Sequence, residues 1–206
     1  MTLPSDYRGT AHVVPLETKD AGDVRDVLEL SANFGGYVPT SLRIMARKPT
    51  ILRAFSGLIR VVMREPGEVA ADLKWLTAHA VSSAAGCRYC QAHTAANGAK
   101  AGLAVEKMRA FMNYEDSPVF TPAERAIIAL GWAAGEVPNA ATRAHFDALR
   151  LYFSDAAIVE IVSVISLFGW LNRWNDTLGC DLEESPLSFA RATLRDRGWE
   201  AGKHAG

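Results

Sequence analysis

The chain has 206 residues, enough to enclose a hydrophobic core in one or two domains without help from metal or disulfides. Lysine plus arginine total 22 and aspartate plus glutamate 23, a net charge of -1, so no summed field draws the protein to nucleic-acid backbones or anionic lipid. Hydrophobic residues make up 49% and charged residues 22%, the profile of ordinary globular proteins, and three cysteines are too few for a secreted disulfide framework.

Residues 1–20 are mixed polar and read as an N-terminal arm without a signal peptide, which predicts a cytoplasmic protein. Between residues 21 and 196 apolar positions recur at helical spacing and no alternating strand run occurs, so a single all-α domain is predicted, with 197–206 as a C-terminal tail. Short helices are expected over residues 22–33, 39–47 and 50–64. Glu68 to Gly86 sets Val69, Leu73, Leu76, Ala80 and Ala84 on one stripe, with Gly86 as terminator. A second helix starts at once with the cysteines, and a short one follows over 104–112. Asn113 to Phe120 is polar, contains Pro118 and reads as a seam.

Thr121-Pro122-Ala123-Glu124 is a helix start, since the hydroxyl can accept from a free amide, proline suits the first turn and the glutamate can reach back. That helix runs to about Ala134, and another is expected over 140–150. Ser154-Asp155 opens a helix whose stretch Ala156 to Leu171 is apolar nearly all round. The stretch is too short to span a membrane and carries Glu160, so it is assigned to the middle of the core, extending to Leu178-Gly179. A last helix is expected over 187–196. Asn172, Arg173, Asn175 and Asp176 crowd the end of the apolar helix, where they either form an internal network or line a pocket. Trp170 and Trp174, four apart, pack in the core or wall that pocket.

The most informative stretch is Gly86-Cys87-Arg88-Tyr89-Cys90-Gln91-Ala92-His93-Thr94. On a helix residues three apart are neighbours, so Cys90 lies between Cys87 one turn before and His93 one turn after. A base beside a thiol raises the thiolate fraction, and a partner thiol can close a disulfide and release product. Free amides of the first turn favour a thiolate there too. Two buried structural cysteines remain an alternative. A zinc site would need a fourth ligand, and no second Cys-x-x-Cys or His-x3-His occurs, so no metal is assigned. A thioredoxin site would need a preceding strand. Cys180 reads as a bystander.

The stretch GCRYCQAHTAA resembles the core motif of alkylhydroperoxidase AhpD-like proteins of the carboxymuconolactone decarboxylase superfamily. LKWLTAHAVSSAAGC before it, and FTPAERAIIALGWAAGEVP and FSDAAIVEIVSVISLFGWLNRWNDTLG after it, extend the likeness over roughly residues 35 to 180. The resemblance implies an AhpD-like helical fold, a homo-oligomer, and a thiol-dependent peroxide reductase with no bound cofactor, reduced by a dithiol protein. It makes Cys90 the attacking thiol, Cys87 the resolving thiol and His93 part of the proton relay. A lyase acting on a small organic acid, as in the decarboxylase branch, and a non-catalytic redox-responsive protein are the alternatives.

Two departures from the family pattern stand out. Trp75 occupies the position, twelve residues before the first cysteine, where the family usually has a relay glutamate, and an indole cannot accept a proton. Asp72, His79 and Ser83 share its stripe, and if the chain reverses near Gly86, His79 and His93 face each other. His79 is therefore the candidate replacement for the carboxylate, with Asp72 behind it and a purely structural histidine as the alternative. His93 follows Cys90 by three residues where many members have four, with Thr94 at the fourth.

Overall fold

The computed structural model describes residues 7–205, so residues 1–6 of the predicted arm and Gly206 of the tail lie outside it. Ten α-helices and no strand occur among the described residues: α1 (Arg25–Gly35), α2 (Thr40–Met45), α3 (Pro49–Ile59), α4 (Ala71–Ala84), α5 (Arg88–Lys100), α6 (Val105–Ala110), α7 (Pro122–Gly135), α8 (Arg143–Leu149), α9 (Asp155–Leu178) and α10 (Glu184–Thr193). The all-α class is as the periodicity predicts. A π-helical segment, Arg60–Arg64, prolongs α3.

Local chemistry sets the principal boundaries. At α7 the Thr121 hydroxyl accepts from Glu124 N–H at 3.2 Å while the Glu124 carboxylate accepts from Thr121 N–H at 2.8 Å, closing the capping box over Pro122. At α9 the Ser154 hydroxyl accepts from Ala157 N–H at 3.0 Å, and Gly179 ends the helix in the left-handed region at φ 60°.

The centre of the fold is α4, which packs against α5, α7 and α9. Its residues from Leu76 to Ser82 are all buried, so it has no solvent stripe. Glycines let α7 approach closely: a Cβ at Gly131 would stand 2.8 Å from that of Ala80, and one at Gly135 would stand 2.7 Å from that of Ala84. The side chain of Lys74 is only 4% exposed and pairs with Glu160 of α9 at 3.3 Å. Glu160 also accepts from the amides of Glu68 at 2.8 Å and Val69 at 3.3 Å. Burial pushes the Glu160 carboxyl up, but the two amides and Lys74 outweigh it and hold it below the usual carboxylate range. Glu160→Ala strands the buried ammonium and is expected to cost about 3–5 kcal/mol in denaturant unfolding, much of it recovered by adding Lys74→Met.

The environment of α9 differs from the prediction. It buries one side, including Ile161, Val164, Phe168 and Asn172, whereas Val159 is 64% and Trp170 41% exposed. Those side chains border a groove of ≈ 960 Å³ against α3, lined also by Ile51, Phe55 and Leu58, which is separate from the cysteines. Trp170 stacks on Trp174 at 5.1 Å and on Phe55 at 5.2 Å, so the tryptophan pair joins core to groove. With 24 residues, α9 is long and apolar enough to cross a membrane, although half of its most apolar window is buried inside this fold.

Residues 10–12 and 199–204, the described segments near either end of the chain, pack on the link between α9 and α10. Thr10 donates to Asp181 at 2.8 Å and His12 N–H donates to Leu178 at 2.8 Å, with Ala11 fully buried. From the other end Leu182 N–H donates to the His204 carbonyl at 2.9 Å, and Trp199 and His204 are buried. The predicted arm and tail are thus, over their described residues, part of the packed body. They clamp the segment that carries Cys180 and Glu183 to the site.

Candidate active site

Gly86, with φ 72°, reverses the chain after α4 and delivers Cys87 as the N-cap of α5. The Cys87 sulfur accepts from Cys90 N–H at 3.2 Å, using one of the free amides of the first turn. The two sulfurs are 2.8 Å apart as free thiols, inside the ordinary contact distance of about 3.5–4.0 Å for nonbonded heavy atoms. Cys87 is 0% and Cys90 2% exposed. Asn175 of α9 donates to the Cys90 sulfur at 3.3 Å. Burial, together with the hydrogen bond and charge of Cys87, pushes the Cys90 thiol well up, and the Asn175 amide offsets only part of that. At rest Cys90 is therefore protonated near neutral pH, and its use as a nucleophile requires a nearby proton acceptor.

His93 lies one turn further along α5. Its Nδ1 is 2.9 Å from the Tyr89 carbonyl, which can only accept, so Nδ1 carries a proton. Its Nε2 is 2.8 Å from a carboxylate oxygen of Glu183, close but off the line of a hydrogen bond, and neither atom has another partner. Tyr89 stacks on the imidazole at 4.2 Å and Tyr37 meets it edge-on at 5.8 Å. Glu183 is held by the amide of Thr40 and by the Tyr89 hydroxyl, which donates at 3.0 Å. Burial pushes its carboxyl up, but the adjacent His93 and the Thr40 amide hold it below the usual carboxylate range. The carboxylate beside His93 is Glu183, which no motif in the sequence marks.

His79 does not take the place expected of it. Residues 93 and 94 point about 100° apart on a helix, and it is Thr94, not His93, that faces α4 here. Thr94 Oγ1 lies 2.9 Å from His79 Nδ1, and the His79 ring meets Phe111 edge-on at 4.8 Å. Burial and the nearby Arg197 charge bring His79 down to about 3. Such a group contributes stability that is complete above its unfolded value of about 6.5 and is lost as pH falls toward the folded value. His79→Ala is therefore expected to lower the melting temperature and flatten the acid limb of the stability curve, leaving the pH dependence of Cys90 alkylation unchanged. Trp75, in the vacated glutamate position, packs edge-on against Phe168 at 6.0 Å. Asp72, in the first turn of α4, accepts from the next amide, Leu73 N–H, at 2.9 Å.

The polar end of α9 serves the site as well as the core. Besides Asn175 on Cys90, Asn172 donates to the Val81 carbonyl at 3.4 Å, and Asp176 pairs with Lys203 at 2.8 Å. Cys180 is also buried among these groups, and burial, then Glu183 and Cys87, push its thiol up to about 12. Cys87, Asp176 and His204 each bring a donor atom within 4.8 Å of the other two, from three separate parts of the chain.

The all-helical scaffold thus holds two sulfurs 2.8 Å apart at the start of α5 and an imidazole–carboxylate pair one turn along the same helix. The chain belongs to the carboxymuconolactone decarboxylase family, whose profile matches residues 49–134, and it has the AhpD-like fold. Crystal structures of the debrominase Bmp8 are similar to it. The apo form is 32% identical with a TM-score of 0.78, covering 90% of this chain and 97% of that one. A cysteine-to-alanine variant in complex with 2,3,4-tribromopyrrole is 31% identical with a TM-score of 0.79, covering 90% and 96%. An AhpD-core, peroxidase-related protein of Ralstonia eutropha JMP134 shares the fold at 22% identity and a TM-score of 0.75, covering 89% and 97%. No curated protein sequence matches the chain.

Proposed function

We propose that the protein is a dithiol reductase of the alkylhydroperoxidase type, and the observation that carries this reading is the 2.8 Å approach of the Cys87 and Cys90 sulfurs. Cys90 gives its proton to the His93–Glu183 pair and attacks the outer peroxide oxygen. The O–O bond breaks, the alkoxide takes up a proton and leaves as the alcohol, and Cys90 becomes a sulfenic acid. Cys87 then attacks the Cys90 sulfur, the S–O bond breaks, water leaves and the disulfide forms. A dithiol protein returns two electrons and two protons. The chemistry needs no bound cofactor.

A second reading draws on the debrominase similarity of 31–32% identity over nearly its whole length. The same thiol pair can deliver two electrons and a proton to a halogenated aromatic ring, so that the carbon–halogen bond breaks, halide leaves and hydrogen takes its place on the ring, with the same disulfide as product. The deciding experiment mixes reduced protein with one equivalent of cumene hydroperoxide or of a brominated pyrrole and analyses both protein and product. The expected result is cumyl alcohol together with a Cys87–Cys90 disulfide. Disulfide formed only with the brominated pyrrole moves the assignment to dehalogenation, and absence of the disulfide with both overturns the dithiol cycle.

A further inference from the structure

We infer that His204 and Asp176 form a second acid–base pair, serving Cys87 as the His93–Glu183 pair serves Cys90. The inference deepens the dithiol cycle and rests on it. That cycle removes a proton from each thiol at a different moment: Cys90 when it attacks substrate, Cys87 when it attacks oxidised Cys90. His93 and Glu183 answer only the first need, since Glu183 is already engaged by Thr40 and Tyr89 beside His93. Cys87 is wholly buried, so its proton also needs a route to water.

The C-terminal segment supplies one. A ring nitrogen of His204, a carboxylate oxygen of Asp176 and the Cys87 sulfur all lie within 4.8 Å of one another. His204 Nδ1 is 2.8 Å from the Cys180 carbonyl, which can only accept, so that nitrogen carries a proton and the ring is fixed with Nε2 toward Asp176 at 3.4 Å. His204 is 1% exposed, whereas the Asp176 side chain is 43% exposed, so the pair leads from a buried thiol to the surface. The second Asp176 oxygen accepts from Lys203 at 2.8 Å, which anchors the carboxylate.

The titratable groups around the ring are Cys87 at the N-cap of α5, Tyr89 of α5 with its ring 5.8 Å away, Asp176 from α9, Cys180 from the link, and Lys203. The acids that follow on that link point elsewhere, Asp181 to Tyr7 and Thr10 and Glu183 to His93. In the resolving step the Cys87 S–H bond breaks and its proton passes to His204 and out through Asp176. The S–S bond forms, the Cys90 S–O bond breaks, and the oxygen leaves as water with one proton drawn from solvent.

The test separates the two halves of the cycle. Full-length wild type, His204→Gln and Asp176→Asn are reduced, mixed with one equivalent of cumene hydroperoxide, and followed for peroxide loss, dimedone-trapped sulfenic acid and disulfide. Both variants are expected to consume the first equivalent within about twofold of wild type and to form the disulfide about 10²-fold more slowly, with sulfenic acid accumulating. Added imidazole should speed the disulfide step of His204→Ala, an effect that a merely structural histidine would not give. Alkylation of Cys87 in a Cys90→Ser, Cys180→Ala background, read by peptide mass, needs no peroxide and should slow about tenfold with His204→Gln. Unchanged Cys87 alkylation overturns the proposal whether or not the dithiol cycle stands, as does equal slowing of peroxide loss and disulfide formation. A chelator that reproduces the His204→Gln defect in wild type overturns it in favour of a metal held by the same three donors.

Discussion

Cys90→Ser is expected to reduce catalytic hydroperoxide turnover by about 10³-fold or more, because it removes the attacking sulfur while leaving a side chain of similar size in a well-packed site. Cys87→Ser should behave differently, consuming one equivalent of hydroperoxide and then stopping with Cys90 as a trappable sulfenic acid. The pH profile of the wild-type first step carries a second expectation. Burial and the adjacent Cys87 hold the Cys90 thiol well above its ordinary value, so the thiolate fraction is small at neutral pH and rises about tenfold per pH unit below that value. The rate of stoichiometric peroxide consumption should therefore climb through the alkaline range instead of levelling near pH 8.5. Asn175→Ala, which removes the amide that donates to this sulfur, should lower the rate without changing the direction of the slope. Rapid-mixing measurements of peroxide loss between pH 6 and 10 check all of these, and a Cys90→Ser variant that still turns over removes the sulfur from the reaction.

The helical frame was legible because its signals are local. The Thr121–Glu124 capping box, the Ser154 cap and the Gly179 stop each act within one turn, so the predicted and observed bounds of α7 and α9 agree closely. The cysteines and His93 were legible for the same reason, since one helix sets their spacing. Glu183 was not, because nothing in Asp181-Leu182-Glu183-Glu184 distinguishes the carboxylate that meets His93 from an ordinary acidic helix start. Its place beside His93 depends on residues 10–12 and 199–204 holding that link against α5, a tertiary event. His204 was lost for the same reason, lying in what reads as a C-terminal tail until the link and the Tyr89 ring cover it. The Trp75 departure showed that the relay glutamate was missing from its position in α4 but not that Glu183, from another part of the chain, stands 2.8 Å from His93. The helical stripe pointed to His79, yet the rotation of α5 turned Thr94 toward it. Along α9 the apolar run was read as buried on all sides, whereas Val159 and Trp170 border an open groove. Hydrophobicity measures what can be buried, and the choice of covering surface is made elsewhere in the chain.

Glu183→Gln is expected to lower kcat/KM for hydroperoxide by about 10²–10⁴-fold, the usual contribution of a positioned acid–base group. The amide preserves the shape of the carboxylate, and its oxygen can still accept from Thr40 N–H and from the Tyr89 hydroxyl. What it cannot do is balance a charged imidazole, because His93 Nε2 would face a neutral side chain in place of the carboxylate now 2.8 Å away. The sign of the stability effect follows from the Glu183 carboxyl being held below its ordinary range despite burial. Its contribution is fully present above the unfolded glutamate value of about 4.3 and is lost as pH falls through the lower folded value. Wild type should thus unfold at higher denaturant than Glu183→Gln at pH 7, and the two should converge as the solution is acidified. Glu183→Ala should be worse than Gln at every pH, since it also strands the Thr40 amide and the Tyr89 hydroxyl without a partner. A purely structural glutamate would give the stability differences but leave the pH–rate profile of Cys90 in place. A shifted profile in Glu183→Gln, with its fold intact by circular dichroism, is the result that assigns the carboxylate to proton transfer, and an unshifted profile with wild-type rate removes it from the reaction.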